Sequence, residues 1–193
     1  MRLFVALVPP DEAVDHLDAF LDVRREAAAY RWASREQFHV TLAFLAEVKE
    51  RRLDELGERL ERAARKRTAF ETAIRGGGAF PNAGRARVLW AGLDLDEHGR
   101  TELDRLATGC RAAANRAGIE VDGQRFRPHV TIARLGHPTE VSNWVRLLDG
   151  YAGPRWPADR ITLVASYLGE GPRGRPRYVH VQDFTLAGAR EVP

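Results

Sequence analysis

The sequence predicts an α+β fold built as two similar lobes around a shared cleft, and three observations lead there. Strand-like segments outnumber helical ones, of which there are three or four. Several strand segments adjoin through short turns, so they form antiparallel hairpins rather than the βαβ units of a parallel sheet. One segment, HVTLAFL at 39–45, returns as HVTIARL at 129–135, with five of seven positions identical and the copies offset by 90 positions in a chain of 193.

Each element has its own justification. Arg2–Val8 alternates about Leu3, Val5 and Leu7 and reads as a strand closed by Pro9-Pro10. Asp11 can cap a helix to about Ala29, with Val14, Leu17, Phe20 and Leu21 at helical spacing. Gln37–Leu45 is a strand, and Lys49–Arg67 an amphipathic helix striped by Leu53, Leu56 and Leu60. Ala69–Ile74 reads as a strand ending in a glycine turn at Gly76–Gly78, and Ala86–Leu95 as its hairpin partner across PNAGR. Glu97–Ala117 is a long helix ended by Gly118, Phe126–Leu135 a strand and Thr139–Leu148 a short helix. Arg160–Leu168 and Arg177–Leu186 are the last strands, joined by GEGPRGRPR. No low-complexity linker interrupts the chain, so residues 1–193 are expected to form a single bilobal domain, each lobe contributing one copy of the repeat.

Composition narrows the function classes. The chain is 44% hydrophobic and 30% charged, an ordinary globular balance. Its apolar runs are strand-sized, well short of the ~20 residues of a membrane helix, and the opening MRLFVALVPPDE lacks the form of a signal peptide. One cysteine, Cys110, allows neither an internal disulfide nor a cysteine metal site, and a soluble cytoplasmic monomer without membrane contact is expected. Lysine occurs only at 49 and 66, so arginine supplies 28 of the 30 basic residues. Guanidinium suits phosphate, but codon usage in a GC-rich genome gives the same excess. A net charge of +3 does not by itself demand a nucleic-acid partner.

The repeat carries the chemistry. Side chains two apart on a strand share a face, which groups His39, Thr41 and Ala43 on one side and Val40, Leu42 and Phe44 on the other. The second copy groups His129 with Thr131 and Ala133, opposite Val130, Ile132 and Arg134. Arg134 breaks the apolar pattern that Phe44 keeps, which is expected where a strand end emerges into a site. A single His-x-Thr is ordinarily structural; two in matched context offer a general base and a general acid titrating near neutrality. The hydroxyls of Thr41 and Thr131, with Arg134, can hold phosphate oxygens. Neither copy carries a further histidine or a carboxylate at the next position on the same face, where a zinc site would need one, so no metal is expected.

These motifs, with MRLFVAL at the start, GGGAFPN at 76–82, ARVLWAGL at 86–93 and FRPHVTIARL at 126–135, make the chain resemble the 2H phosphoesterases. It is most similar to their RNA 2′,3′-cyclic phosphodiesterase branch, also called 2′-5′ RNA ligases. The resemblance implies an antiparallel sheet with outer helices in each lobe and a central cleft holding both histidines. It implies metal-free hydrolysis of a 2′,3′-cyclic phosphate, at an RNA end or on a small cyclic nucleotide, to a 2′-phosphomonoester, with no cofactor. In that scheme His39 is the acid and His129 the base, while Thr41, Thr131 and Arg134 bind phosphate. Phe80 stacks on the terminal base, and Ser166 and Tyr178 are further site candidates. Two other readings stand beside it: end joining by the reverse chemistry, and a module that binds RNA ends without turnover.

Overall fold

The computed structural model describes residues 1–189, so residues 190–193 of the expected domain lie outside the described residues. Its strands are β1 (Leu3–Leu7), β2 (Arg31–Trp32), β3 (Val40–Leu45), β4 (Phe70–Phe80), β5 (Ala86–Asp94), β6 (Val130–Thr139), β7 (Ala152–Ala158), β8 (Arg160–Tyr167) and β9 (Arg177–Thr185). The helices are α1 (Asp11–Asp22), α2 (Leu53–Arg65), α3 (Glu97–Arg116) and α4 (Ser142–Asp149). The strands form one antiparallel sheet in the order β7-β4-β5-β6-β3-β1-β8-β9, with β2 added to β6. Two four-stranded halves, β7-β4-β5-β6 and β3-β1-β8-β9, meet at a single residue pair, Val40 with Val130. These halves are the two lobes.

The lobes are interleaved in sequence. Residues from β4 to β7 build one half without interruption, whereas the other combines β1 and β3 with the last two strands. Helices cross over as well: α1 packs against β7, and α3 packs against β3. One face of the sheet and the helices enclose a single large core that includes Leu3, Leu17, Leu42, Leu56, Leu103 and Ile132, each fully buried. The opposite face carries a much smaller apolar cluster of Phe4, Ala6 and Val164. That second face holds the histidines.

Local chemistry explains the elements. Helix α2 buries Leu56, Leu60 and Ala64 and lays Glu55–Arg59, Glu58–Arg62 and Glu61–Arg65 pairs along its exposed side, the favourable acid-first order at four-residue spacing. The carboxylate of Asp96 accepts the Gly99 N–H at 2.7 Å and caps α3, and Gly118, at φ +72°, ends it as the sequence indicates. Helix α1 stops at Asp22, earlier than expected, because the chain tightens into a 3₁₀ turn at Arg25–Ala27.

The structure corrects three other expectations. Gly76–Gly78 do not end a strand; β4 runs through them to Phe80, with a bulge after Ile74 that Gly76 accommodates at φ +68°. Strand β6 starts at Val130 and extends to Thr139, where it pairs with Ala86, so the following helix begins later, at Ser142. Strand β7 is an edge strand unforeseen in the sequence, since it contains Pro154 and Pro157. Among the described residues no helix is long and apolar enough to cross a membrane.

Candidate active site

Each histidine enters from a short, well-determined lead-in. Ser34 and Gln37 close a reciprocal cap around the 3₁₀ turn Arg35–Gln37, and the buried Phe38 then anchors the chain before His39. Pro128 holds the residue ahead of it extended as the chain approaches His129. In both copies the ring Nδ1–H donates to the carbonyl two residues back, His39 to Gln37 at 2.7 Å and His129 to Arg127 at 2.6 Å. The bond fixes the tautomer of the neutral imidazole and leaves Nε2 as the working nitrogen. Thr41 Oγ1 lies 3.0 Å from His39 Nε2.

A β-bulge lies in each motif, at matching positions. On β3, Thr41 faces Ala6 and Ala43 faces Val5, leaving Leu42 as the extra residue. On β6, Thr131 faces Trp90 and Ala133 faces Leu89, leaving Ile132 as the extra residue. One extra residue switches the face on which later side chains emerge. Ala43 and Ala133 therefore join the core, correcting the simple alternation, while Phe44 and Arg134 turn back to the histidine face. The bulge is the physical reason that Arg134 reaches the site. Its charge acts on His39, His129 and Tyr178 together.

The electrostatics are asymmetric. His39 is pushed down from 6.5 to about 4, mainly by burial, with the charges of His129 and Arg134 adding and the Gln37 carbonyl opposing. His129 is also lowered, again mainly by burial, with the Arg127 carbonyl opposing and Arg134 adding. Aromatic rings pack against both imidazoles. Phe4 stacks on His39 and Tyr178 meets its edge at 5.5 Å. Phe80 stands edge-on to His129 at 4.9 Å, and Trp90 lies 6.1 Å from the same ring.

His39, Thr41, His129, Thr131, Arg134, Phe80 and Tyr178 thus lie on the one cleft face; strand spacing groups each histidine with its threonine, whereas Arg134 needs the bulge, and Phe80 and Tyr178 were implied by the family resemblance. Gly78 explains the position of Phe80: a Cβ there would enter the Trp90 indole, which lies across the strand and contacts Phe80. Ser166 is buried on β8, where its amide donates to the Arg2 carbonyl. Phe4, Trp90 and Arg127, whose guanidinium lies 5.7 Å from the Phe80 ring centre, were not singled out from the sequence. Phe4 was recoverable, because it sits on the opposite face of β1 from Leu3, Val5 and Leu7 and is a large aromatic there. Cys110 is core, its thiol pushed up to about 12 by burial.

Residues 9–170 match the sequence profile of the 2′-5′ RNA ligase superfamily. The chain belongs to this superfamily. Among superfamily members it resembles the RNA 2′,3′-cyclic phosphodiesterase of Thermus thermophilus, 32% identical over 97% of this chain and 91% of that one. A crystal structure of TT0787 from Thermus thermophilus superposes with a TM-score of 0.76 at 31% identity, covering 98% of this chain and all of the other. Escherichia coli LigT complexed with 3′-AMP superposes equally well, with a TM-score of 0.76 at 26% identity over 96% of this chain and 98% of LigT.

Proposed function

We propose that this superfamily member is an RNA 2′,3′-cyclic phosphodiesterase that converts 2′,3′-cyclic phosphate ends to 2′-phosphomonoesters without a metal. The carrying observation is the duplicated constellation: two imidazoles, each locked through Nδ1 to the carbonyl two residues back, present Nε2 to one cleft. The relatives' name, RNA 2′,3′-cyclic phosphodiesterase, and the complex of LigT with 3′-AMP agree with a nucleotide phosphate as the ligand.

In the proposed reaction His129 takes a proton from water, whose oxygen forms the new bond to phosphorus. The bond from phosphorus to the 3′-oxygen breaks, and His39 protonates that oxygen. The 2′-phosphate leaves, and the two rings exchange protons with solvent before the next cycle. Thr41, Thr131 and Arg134 stabilise the non-bridging oxygens. In the free protein both rings are lowered, so the bound phosphate anion supplies the pull that holds a proton on the acid.

The test is product analysis after incubation with an oligoribonucleotide bearing a 2′,3′-cyclic phosphate, with and without EDTA. A 2′-phosphate at equal rates in both is expected. A 3′-phosphate would overturn the assignment of the leaving oxygen, and loss of activity in EDTA the metal-free reading. Binding without turnover would favour a module that only recognises RNA ends.

A further inference from the structure

On the side of His39 away from β6, the cleft continues into a groove of about 620 Å³ over β1, β8 and β9. Phe4, Val8, Pro10, Pro157 and Val164 give it an apolar lining, with Glu36, Asp159 and Arg160 as charged residues beside them. Its far end is polar. Thr162 donates to Asp183 Oδ1 at 2.6 Å, and His180 Nε2 lies 3.0 Å from the same oxygen. A third bulge makes this end. On β9, Gln182 faces Leu163 while His180 faces Val164, so Val181 is the extra residue and His180 and Asp183 both turn to the groove.

We propose that this groove seats the nucleoside adjacent to the cyclic end, so that the site grips two nucleosides rather than the terminal one alone. This rests on the proposed phosphodiesterase reading. Expulsion of the 3′-oxygen toward His39 puts the terminal ribose on that flank, and its 5′-oxygen leads the chain onward over β1 and β8. A flat base covers the apolar lining, while the His180–Asp183 pair offers hydrogen bonds to a base edge or ribose hydroxyl. The volume falls within the few hundred to ~1,000 Å³ of small-molecule sites, which share this plan of apolar lining and few polar groups. The groove shares Phe4, His39 and Tyr178 with the catalytic cleft, so an occupant is continuous with a phosphate held there.

The experiment compares three substrates: a 2′,3′-cyclic mononucleotide, the corresponding dinucleotide, and that dinucleotide with an abasic 5′ residue. One base seated against apolar and aromatic groups contributes about 1–3 kcal/mol, so kcat/KM for the dinucleotide is expected to exceed the mononucleotide's by at least about fivefold. The abasic substrate is expected to lose that gain. Val8→Glu, which places a charge in the groove lining, and His180→Ala should each erase the gain and leave mononucleotide turnover at the wild-type rate. Equal kcat/KM for all three substrates overturns the proposal, as does a gain that survives in the abasic substrate or in both variants. Turnover of the mononucleotide in those cases leaves the phosphodiesterase reading intact; no turnover of any substrate overturns both.

Discussion

The imidazole of His39 lies over the ring of Phe4, centroids 4.5 Å apart and planes 24° from parallel. A hydrocarbon face on one side of a ring that must carry charge opposes protonation, and burial is the largest cause of the fall of His39 to about 4. Phe4→Ala opens that side to water. The His39 pKa is expected to rise toward 6.5 in the variant, read from the ring proton shifts in an NMR titration, at a stability cost of about 3 kcal/mol. An unmoved His39 titration would show that Phe4 is not the desolvating group.

The same depression links stability to pH. In the folded protein His39 binds a proton only near pH 4, whereas unfolded it does so near 6.5, so the unfolded chain binds more protons in between. Stability therefore rises with pH across that window and falls on acidification through it. His39→Gln removes this contribution. Urea unfolding from pH 7 to 4 should show a shallower decline in the variant, the difference being on the order of 3 kcal/mol.

For catalysis, one ring must hold a proton and the other must not. Both are lowered in the free protein, so the singly protonated pair is most abundant below the ordinary histidine value. The pH profile of kcat/KM, which reports the free protein, should be bell-shaped with its maximum below 6.5. The kcat maximum should lie higher, because bound phosphate raises both rings. A kcat/KM maximum above pH 7 would contradict this electrostatic account.

His39→Ala and His129→Ala should each lower kcat by roughly 10²–10⁴. The double variant should lose little more than the worse single one, since the rings act as a unit. Arg134→Ala should impair turnover and also relieve the positive charge felt by both rings, moving their pKa values up. Full activity in either histidine variant would sink the mechanism.

Gly78→Ala tests the support beneath Phe80. The added Cβ has to displace the Trp90 indole, and overpacking of this kind costs about 1–3 kcal/mol. Because Trp90 also neighbours His129, the variant should lose activity in proportion beyond its loss of stability. Denaturation midpoints and kcat measured on the folded protein separate the two.

Much of this site was legible in the sequence because the repeat doubles the signal: His39 and His129 identify each other, and Thr41 and Thr131 follow by strand spacing. What spacing could not give was the bulge. A period of two puts Arg134 beside Val130 in the core, and only the unequal pairing of Thr131 and Ala133 with Trp90 and Leu89 turns it outward. Glycines misled in a similar way. Gly76–Gly78 resemble a turn, yet two of them are small to admit Trp90 and Leu148 against a continuing strand. Strand β7 was hidden by its prolines, which an edge tolerates. The glycine stop of α3 at Gly118 and the amphipathic pattern of α2 were readable because they depend on local sequence alone.

The interleaving of the two halves has a consequence for biosynthesis. Strands β4 to β7 leave the ribosome as one unbroken stretch and can find their partners in order. Strand β1, made first, must wait for β8 to cover its free edge, and its five residues LFVAL are all buried in the finished sheet. Through most of translation that edge is an unpaired apolar template of the kind that recruits other chains. The half carrying His39 is thus both the earliest begun and the last completed. A nascent chain stalled before residue 160 carries both histidines without the strand that closes the sheet around the first.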